Sequence, residues 1–241
     1  MSYIYKNTLM QIYCTLTGYL EALLTKIILT PMTTNPRFVD HLFIIDTSVR
    51  STRELQLLQA GINDSIMSIR RSSLNNELCT HRISLMIIDT KGVQCLYHAK
   101  DINEVSEFSM NSFSIGADIR LYDGIGTSIG TWRALGQRNQ KNGKTSITIF
   151  TRGVDGGSCK YSICTIKSII QHLKQRDWQF MLIGNHSLLP FIAQKMGIDK
   201  YYNRSNVSVH RERNFVISQL VRQWRQQQLI KTNTKTKIKA A

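Results

Sequence analysis

The sequence predicts an α/β fold: a mainly parallel sheet covered by helices on both faces, with one antiparallel edge strand. Three observations carry this expectation. Short apolar runs alternate with segments of helical periodicity, the pattern of βαβ units. A Lys91-Gly92 turn lies between two of the apolar runs and suggests a hairpin, hence an antiparallel strand. The chain has 241 residues and is 42% hydrophobic and 20% charged, enough to bury a full core and ordinary for a globular domain.

The elements follow in order. From Asn7 to Leu29, apolar residues such as Leu9, Ile12, Leu16, Leu20, Leu23 and Ile27 recur at helical spacing. Residues 1–32 are therefore expected to form an N-terminal amphipathic extension. Gln11, Glu21 and Lys26 interrupt it, so it is no membrane span, which needs about 20 nearly uninterrupted apolar residues. Met32, just before the polar Thr-Thr-Asn-Pro-Arg, offers a second translation start that would make this extension spurious. His41 to Ser48 reads as a buried strand. Thr52 to Arg71 reads as a helix with Leu55, Leu58, Ile62, Ile66 and Ile69 on one face. Ile83 to Asp89 and Val93 to His98 are the hairpin strands. Leu121 to Leu135 is a helix whose Gly124, Gly126 and Gly130 suggest close packing on the sheet. Thr145 to Phe150 is a strand, Tyr161 to Arg176 a helix, and Phe180 to Ile183 a short strand ended by Gly184-Asn185. Leu188 to Met196 is a short helix stopped by Gly197. Residues 33–200 make the main domain. Residues 201–241 add a terminal helix, Phe215 to Ile230, and a basic tail expected to be disordered.

Charge is the unusual part of the composition. Lys and Arg total 31 against 16 Asp and Glu, a net charge of +15 with a pI near 9.8. Such a surface attracts polyanions, although Lys-, Asn- and Ile-rich usage is equally that of an AT-rich coding sequence. The cations concentrate at the C-terminus. Arg211, Arg213, Arg222, Arg225 and Lys231 surround Trp224, where guanidinium groups could meet phosphates and the indole could stack on a base. The ordinary alternative is a solvated helix face with Phe215, Leu220 and Trp224 packed inward. No helix-turn-helix or other sequence-reading motif is visible.

The five cysteines have no CxxC spacing, so neither a zinc cluster nor a disulfide framework is expected. They read as reduced thiols of an intracellular, reducing compartment, cytoplasmic or organellar, with Cys95 as a small core residue and Cys159 as a plain exposed thiol. His98, His172, His186 and His210 show no arrangement with a nucleophile. Gly124-Ile-Gly-Thr-Ser-Ile-Gly130 lacks the Gly-Lys-Ser/Thr ending of a phosphate loop.

The most informative stretch is His41-Leu-Phe-Ile-Ile-Asp46-Thr47-Ser48. It delivers an acid and a hydroxyl to the C-terminal tip of a strand, where open α/β sheets bind ligands. Three further segments stand in a definite order behind it: Leu121-Tyr-Asp-Gly-Ile125, Ile147-Thr-Ile-Phe-Thr-Arg-Gly-Val-Asp155, and Trp178-Gln-Phe-Met-Leu-Ile-Gly184-Asn185. Together they resemble the von Willebrand factor A (vWA) domain, and more closely its small bacterial and phage-type intracellular members, over roughly Thr33 to Gly197. The resemblance implies a Rossmann-like three-layer sandwich with a metal-ion-dependent adhesion site at the strand tips. It also implies a non-enzymatic protein-interaction role in which an acidic residue of the partner completes the ion's coordination. The family's ligand pattern is Asp-x-Ser-x-Ser, a Thr before the Leu-Tyr-Asp helix, and the Asp of Thr-Asp-Gly.

Asp46 and Ser48 match that pattern. The other three positions hold Arg50, Ile119 and Arg152. Arginine is always cationic and offers only donors, whereas Mg²⁺ needs near-octahedral oxygen coordination. The rim Asp46, Ser48, Arg50, Ile119 and Arg152 is therefore expected to be a degenerate site with no cofactor, in which Arg152, Arg50 or both form an ion pair with Asp46. A rival reading keeps Mg²⁺ at a shifted site built from Ser51, Asp118, Asp123 and Asp155. The partner is expected to be a protein bound through an acidic residue, with nucleic acid as the alternative.

Overall fold

The computed structural model describes residues 37–74, 79–109, 116, 119–136 and 144–203. Six strands form one sheet: β1 (Arg37–Asp46), β2 (Cys79–Asp89), β3 (Gly92–Asp101), β4 (Lys144–Thr151), β5 (Gln179–Gly184) and β6 (Lys200–Asn203). Their spatial order is β3-β2-β1-β4-β5-β6. All neighbouring pairs are parallel except β2–β3, which is antiparallel and joined through a turn at Thr90-Lys91, one residue earlier than the sequence suggested. Four helices connect the strands: α1 (Thr52–Leu74), α2 (Leu121–Gly136), α3 (Ile163–Lys174) and α4 (Leu189–Met196).

The sheet separates two cores because successive side chains on a strand point to opposite faces. Leu42 and Ile44 of β1, with Met86, Ile88, Ile147 and Ile149, pack under α2, α3 and α4. Phe43 and Ile45, with Ile83, Leu85, Ile87 and Phe150, pack under α1. Helix α1 contributes Leu58, Ile62, Ile66 and Ile69 to this second core, each 5% exposed or less. Burial of one such side chain is worth about 1.5–3 kcal/mol. Leu55, expected on the same face, is partly buried against it.

The glycines of α2 divide. A Cβ on Gly124 would lie 2.4 Å from Ile88 of β2, and one on Gly126 would lie 2.7 Å from the Tyr161 ring, so both mark close approach. Gly130 faces open space, contrary to expectation. Gly197 ends α4 in the left-handed region, φ 71°, with its N–H bonded to Gln194 O.

Two elements had no counterpart in the sequence reading: a 3₁₀ turn at Ile102–Glu104, and β6, which begins where the main domain was expected to end. Cys95 is a correction. It is exposed, because β3 is the outer strand and presents much of its length to solvent. The amphipathic extension, Asp118, the terminal helix and the basic tail lie outside the described residues. Among the described residues, no helix is long and apolar enough to cross a membrane.

Candidate functional site

The parallel arrangement brings the C-terminal tips of β1, β4 and β5 to one edge. Asp46 ends β1 and is 2% exposed. Its carboxyl oxygens gather donors from two loops. Oδ1 accepts from Ser48 N at 2.8 Å, and Oδ2 accepts from Ser48 Oγ at 2.8 Å and from Thr151 Oγ1 at 2.6 Å. The Arg152 amide is a further donor. Thr151 Oγ1 in turn accepts from Gly153 N at 2.8 Å. Asp46 thus fastens the β1 tip to the β4 tip. Burial pushes its pKa above the ordinary carboxylate value, while the bonds from Thr151, Ser48 and the Arg152 amide oppose that rise.

The expected ion pair is absent. Among the described residues, Asp46 has no Lys or Arg nitrogen within ion-pair distance; the pairs there are Arg82–Asp40, Lys144–Asp177 and Lys174–Asp199. Register supplies the reason. Ile45 lies opposite Phe150, so the next residues, Asp46 and Thr151, are neighbours on one face of the sheet. Arg152 is one residue further, and its side chain turns elsewhere: Nη1 donates to Ser48 O at 3.0 Å. It therefore braces the same loop from outside, without touching the carboxylate.

Arg50 is exposed and stands just before α1. Its backbone N–H donates to Glu54 Oε2 at 2.7 Å, while Ser51 Oγ accepts from Glu54 N at 3.2 Å. This reciprocal arrangement is a variant of the capping box and commits Ser51 to the helix end. Ile119 corrects the expected rim. It is 1% exposed and packs in the core under α2, so it is not a surface contact. Its carbonyl accepts from Gly156 N at 2.8 Å.

Two acids of the rival metal reading are also occupied by local structure. Asp123, in the first turn of α2, accepts from the amides of Cys159, Lys160 and Tyr161 at 2.7–3.0 Å. Desolvation works to raise its pKa, but these amides and the Arg120 charge hold it below the ordinary value. Asp155 accepts from Ser158 Oγ at 2.6 Å and Ser158 N at 2.8 Å. Both acids shape the loop that follows β4. Among the described residues, no group of three His, Cys, Asp or Glu side chains is placed to hold a metal.

A small cleft of about 30 Å³ opens at this edge, lined by Asp46, Val49, Leu58, Thr151, Arg152 and Asn185, among others. That is room for about one or two water molecules. Thr151 and Asn185 were not singled out from sequence. A hydroxyl at the last position of an alternating strand, Thr145-Ser-Ile-Thr-Ile-Phe-Thr151, was the available signal for the first. Of the candidate histidines, His98 and His172 are exposed. His186 is half-buried and builds its own turn, with Nδ1 accepting from Leu188 N at 3.1 Å. The polyanion candidates Arg211, Arg213, Arg222, Trp224, Arg225 and Lys231 lie outside the described residues.

No family model and no curated protein matches the sequence. Solved structures do match in fold. The pilus adhesin SpaC of Lactobacillus rhamnosus GG, in its open conformation, aligns with 79% of this chain and 30% of its own at 12% identity and a TM-score of 0.53. Proximal thread matrix protein 1 from the mussel byssus aligns with 77% of this chain and 46% of its own at 11% identity, TM-score 0.51. The VWA domain of SpRpn10 covers 69% of this chain and 89% of its own at 16% identity, TM-score 0.47. The chain thus spans less than half the length of the first two. The architecture is an α/β sandwich with a mixed, mostly parallel sheet, a fold similar to that of the first two.

Proposed function

We propose that this chain is a non-enzymatic protein-interaction module that binds through the rim at the C-terminal strand tips without a metal ion. The observation that carries this reading is the arrangement of Arg152. Its guanidinium is anchored on Ser48 O beside the cleft, at the position where the vWA pattern has an acidic ligand. A half-buried, braced guanidinium suits a partner's carboxylate through charge-assisted hydrogen bonds, and the exposed Arg50 adds positive charge nearby. Mg²⁺ does not fit this donor set. Both Asp46 oxygens already accept hydrogen bonds, Ile119 supplies no oxygen side chain, and Arg152 would repel the ion.

An acidic peptide, measured by fluorescence anisotropy in EDTA, tests the proposal. The wild type is expected to bind and Arg152→Asp to lose at least about tenfold in affinity. Equal binding by both proteins, or binding only after Mg²⁺ is added, overturns it. Calorimetric titration with Mg²⁺ and Mn²⁺ supplies the companion test. The wild type is expected to take up neither, and the triple variant Arg50→Ser, Ile119→Thr, Arg152→Asp to gain binding.

The net charge of +15 favours a second reading, polyanion binding through the C-terminal basic segment. It requires nucleic-acid affinity that falls steeply with salt and disappears when the residues beyond Arg211 are deleted. The rim interaction should survive that deletion.

A further inference from the structure

Helix α4 and the outer strand β6 leave a groove between them. Its volume is about 500 Å³, and its lining includes Phe191 and Gln194 of α4, Ile198 and Asp199 of the turn that follows, and Tyr201 of β6. Its aromatic walls have a structural cause. Tyr201 lies directly opposite Leu182 in the parallel β5–β6 register. Side chains opposite one another leave a sheet on the same face, and Leu182 belongs to the core under α2, α3 and α4. Tyr201 therefore points to the side that α4 covers. Strand β6 is the last of the sheet, and α4 has only eight residues. The outer strand is left partly bare, with Tyr201 42% exposed. Across the groove, Leu188 at the start of α4 and Phe191 are three residues apart, hence neighbours on one helix face. They are 56% and 54% exposed. Single exposed leucines are ordinary on a protein surface, whereas a phenylalanine and a tyrosine flanking one groove mark a contact.

Two observations point to a second copy of this chain as the occupant. The first is shape. The patch holds both halves of an apolar contact, a large exposed ring and a hollow beside it of the size that accepts drug-sized ligands. The second is charge. Lys195 lies with its Nζ 5.2 Å from the centre of the Phe191 ring, and among the described residues it has no ion-pair partner. Four positions on, Asp199 is paired with Lys174, yet its side chain is 84% exposed, so a second cation can reach it. A two-fold contact needs such self-complementarity, because residue i meets j of the other copy and j meets i. The net charge of +15 makes copies repel, so self-association requires a patch that offers an acid to the partner's base. Asp199 is that acid.

We infer that two copies of this chain associate about a two-fold axis through this groove. Each Phe191 fills the groove of the other copy, and each Lys195 meets the partner's Asp199. With one aromatic anchor per copy the contact is small, so the dissociation constant is micromolar and the dimer is not obligate. The groove uses none of the rim residues, so the failure of one reading leaves the other standing.

Sedimentation velocity of the full chain across the micromolar range tests this. The salt concentration is 0.15 M, where the Debye length of about 8 Å screens the overall repulsion more than charges in contact. The wild type is expected to move from the chain mass of 27.6 kDa toward twice that mass as its concentration rises. Phe191→Glu should weaken association by about tenfold or more. Leu74→Glu, at the exposed end of α1, should leave it unchanged. Lys195→Glu and Asp199→Lys should each weaken it, because each sets like charges across the axis. An equal mixture of these two variants should associate again, since opposite charges then face each other at both contacts. Recovery in the mixture excludes damaged folding as the cause of the single losses, and thermal melts check the Phe191→Glu protein. A wild type that stays at the chain mass overturns the inference, whether the groove is empty, covered by the segment beyond Asn203 or kept for another protein. So does a loss in Leu74→Glu equal to that in Phe191→Glu, and so does a mixture that associates no better than its components.

Discussion

Strand β1 carries two buried acids on the same face, six residues apart, and they are satisfied in opposite ways. Asp40, 4% exposed, receives a two-pronged bond from Arg82, Nε to Oδ1 at 2.8 Å and Nη2 to Oδ2 at 2.9 Å. Asp46, 2% exposed, receives hydroxyl and amide donors and, among the described residues, no cation. Register accounts for the difference. Arg82 lies directly opposite Asp40 on β2, so both side chains leave the sheet on the same side. Opposite Asp46, β2 has Ile88, and β4 brings Thr151 alongside it. The cation one residue further along, Arg152, lies past the end of β4 and turns its guanidinium to Ser48 O. Which neighbour an acid obtains is decided by the parity of its register, and the nearness of an arginine in sequence does not decide it.

The largest expected effect breaks the Asp40 end of this comparison. Arg82→Met leaves the Asp40 carboxylate buried and unpaired. It should destabilise the fold by about 3–5 kcal/mol in urea unfolding. Asp40→Asn in the Arg82→Met background should recover part of that loss, because the stranded charge is then gone. If Arg82→Met costs no more than a surface substitution, the pair is not what supports Asp40.

At the Asp46 end the corresponding change is Thr151→Val, which keeps the shape and removes one donor. Loss of a hydrogen bond to a charged group costs about 1.5–3 kcal/mol. It should also raise the Asp46 pKa further, since that bond opposes the effect of burial. The pH dependence has a definite sign. The folded-state pKa of Asp46 lies above its unfolded value, so the folded protein takes up the proton first as pH falls. The Asp46 contribution to stability therefore rises with acidification through the folded pKa and levels off below the unfolded one. Asp46→Asn removes that rise, and the difference between the two pH profiles of urea unfolding measures it.

The other face of β1 carries His41, which stacks on His81 of β2. His41 Nε2 lies 3.0 Å from His81 Nδ1, with the rings 5.3 Å apart and nearly parallel at 9°. Desolvation, with the nearby His81, holds the His41 pKa well below its ordinary value. The unfolded chain then takes up the proton first, so stability falls as pH drops below about 6.5. For one proton the slope is at most about 1.4 kcal/mol per pH unit. His41→Gln keeps an amide within reach of His81 and cannot titrate in this range, so it should flatten the decline in thermal melts between pH 7 and pH 5. An unchanged decline would move its origin to another group.

These residues show what the sequence discloses and what it hides. The alternation of helix and strand, the β2–β3 hairpin and the inward face of α1 were legible, because each depends on a local period of apolar residues. Strand β6 was not legible. Lys200-Tyr-Tyr-Asn203 has no apolar alternation and is a strand only because β5 offers it an edge. Asp46 and Ser48 were legible as chemistry at a strand tip, but the partner of Asp46 was not, since a shift of one residue exchanges Arg152 for Thr151. Ile119 was placed on the rim by alignment to a ligand position. Its apolar side chain instead follows the ordinary rule of burial and joins the core. The His41–His81 pair joins residues forty apart through a register that the sequence does not state.

The smallest expected effect decides whether the contrast within β1 is real. Arg152 donates a side-chain bond to the neutral carbonyl of Ser48 and is half-buried. If its charge plays no part in holding Asp46, Arg152→Met should cost no more than about 1 kcal/mol, the worth of a single neutral-acceptor hydrogen bond. Asp46→Asn should then change stability by the same amount in the wild-type and Arg152→Met backgrounds. A coupling above about 1 kcal/mol in that double-mutant cycle would mean that the guanidinium compensates the buried carboxylate from a distance. Asp46 would then differ from Asp40 only in the length of its ion pair. A coupling near zero leaves Arg152 free of structural duty toward the acid, with its charge directed outward to whatever the rim binds.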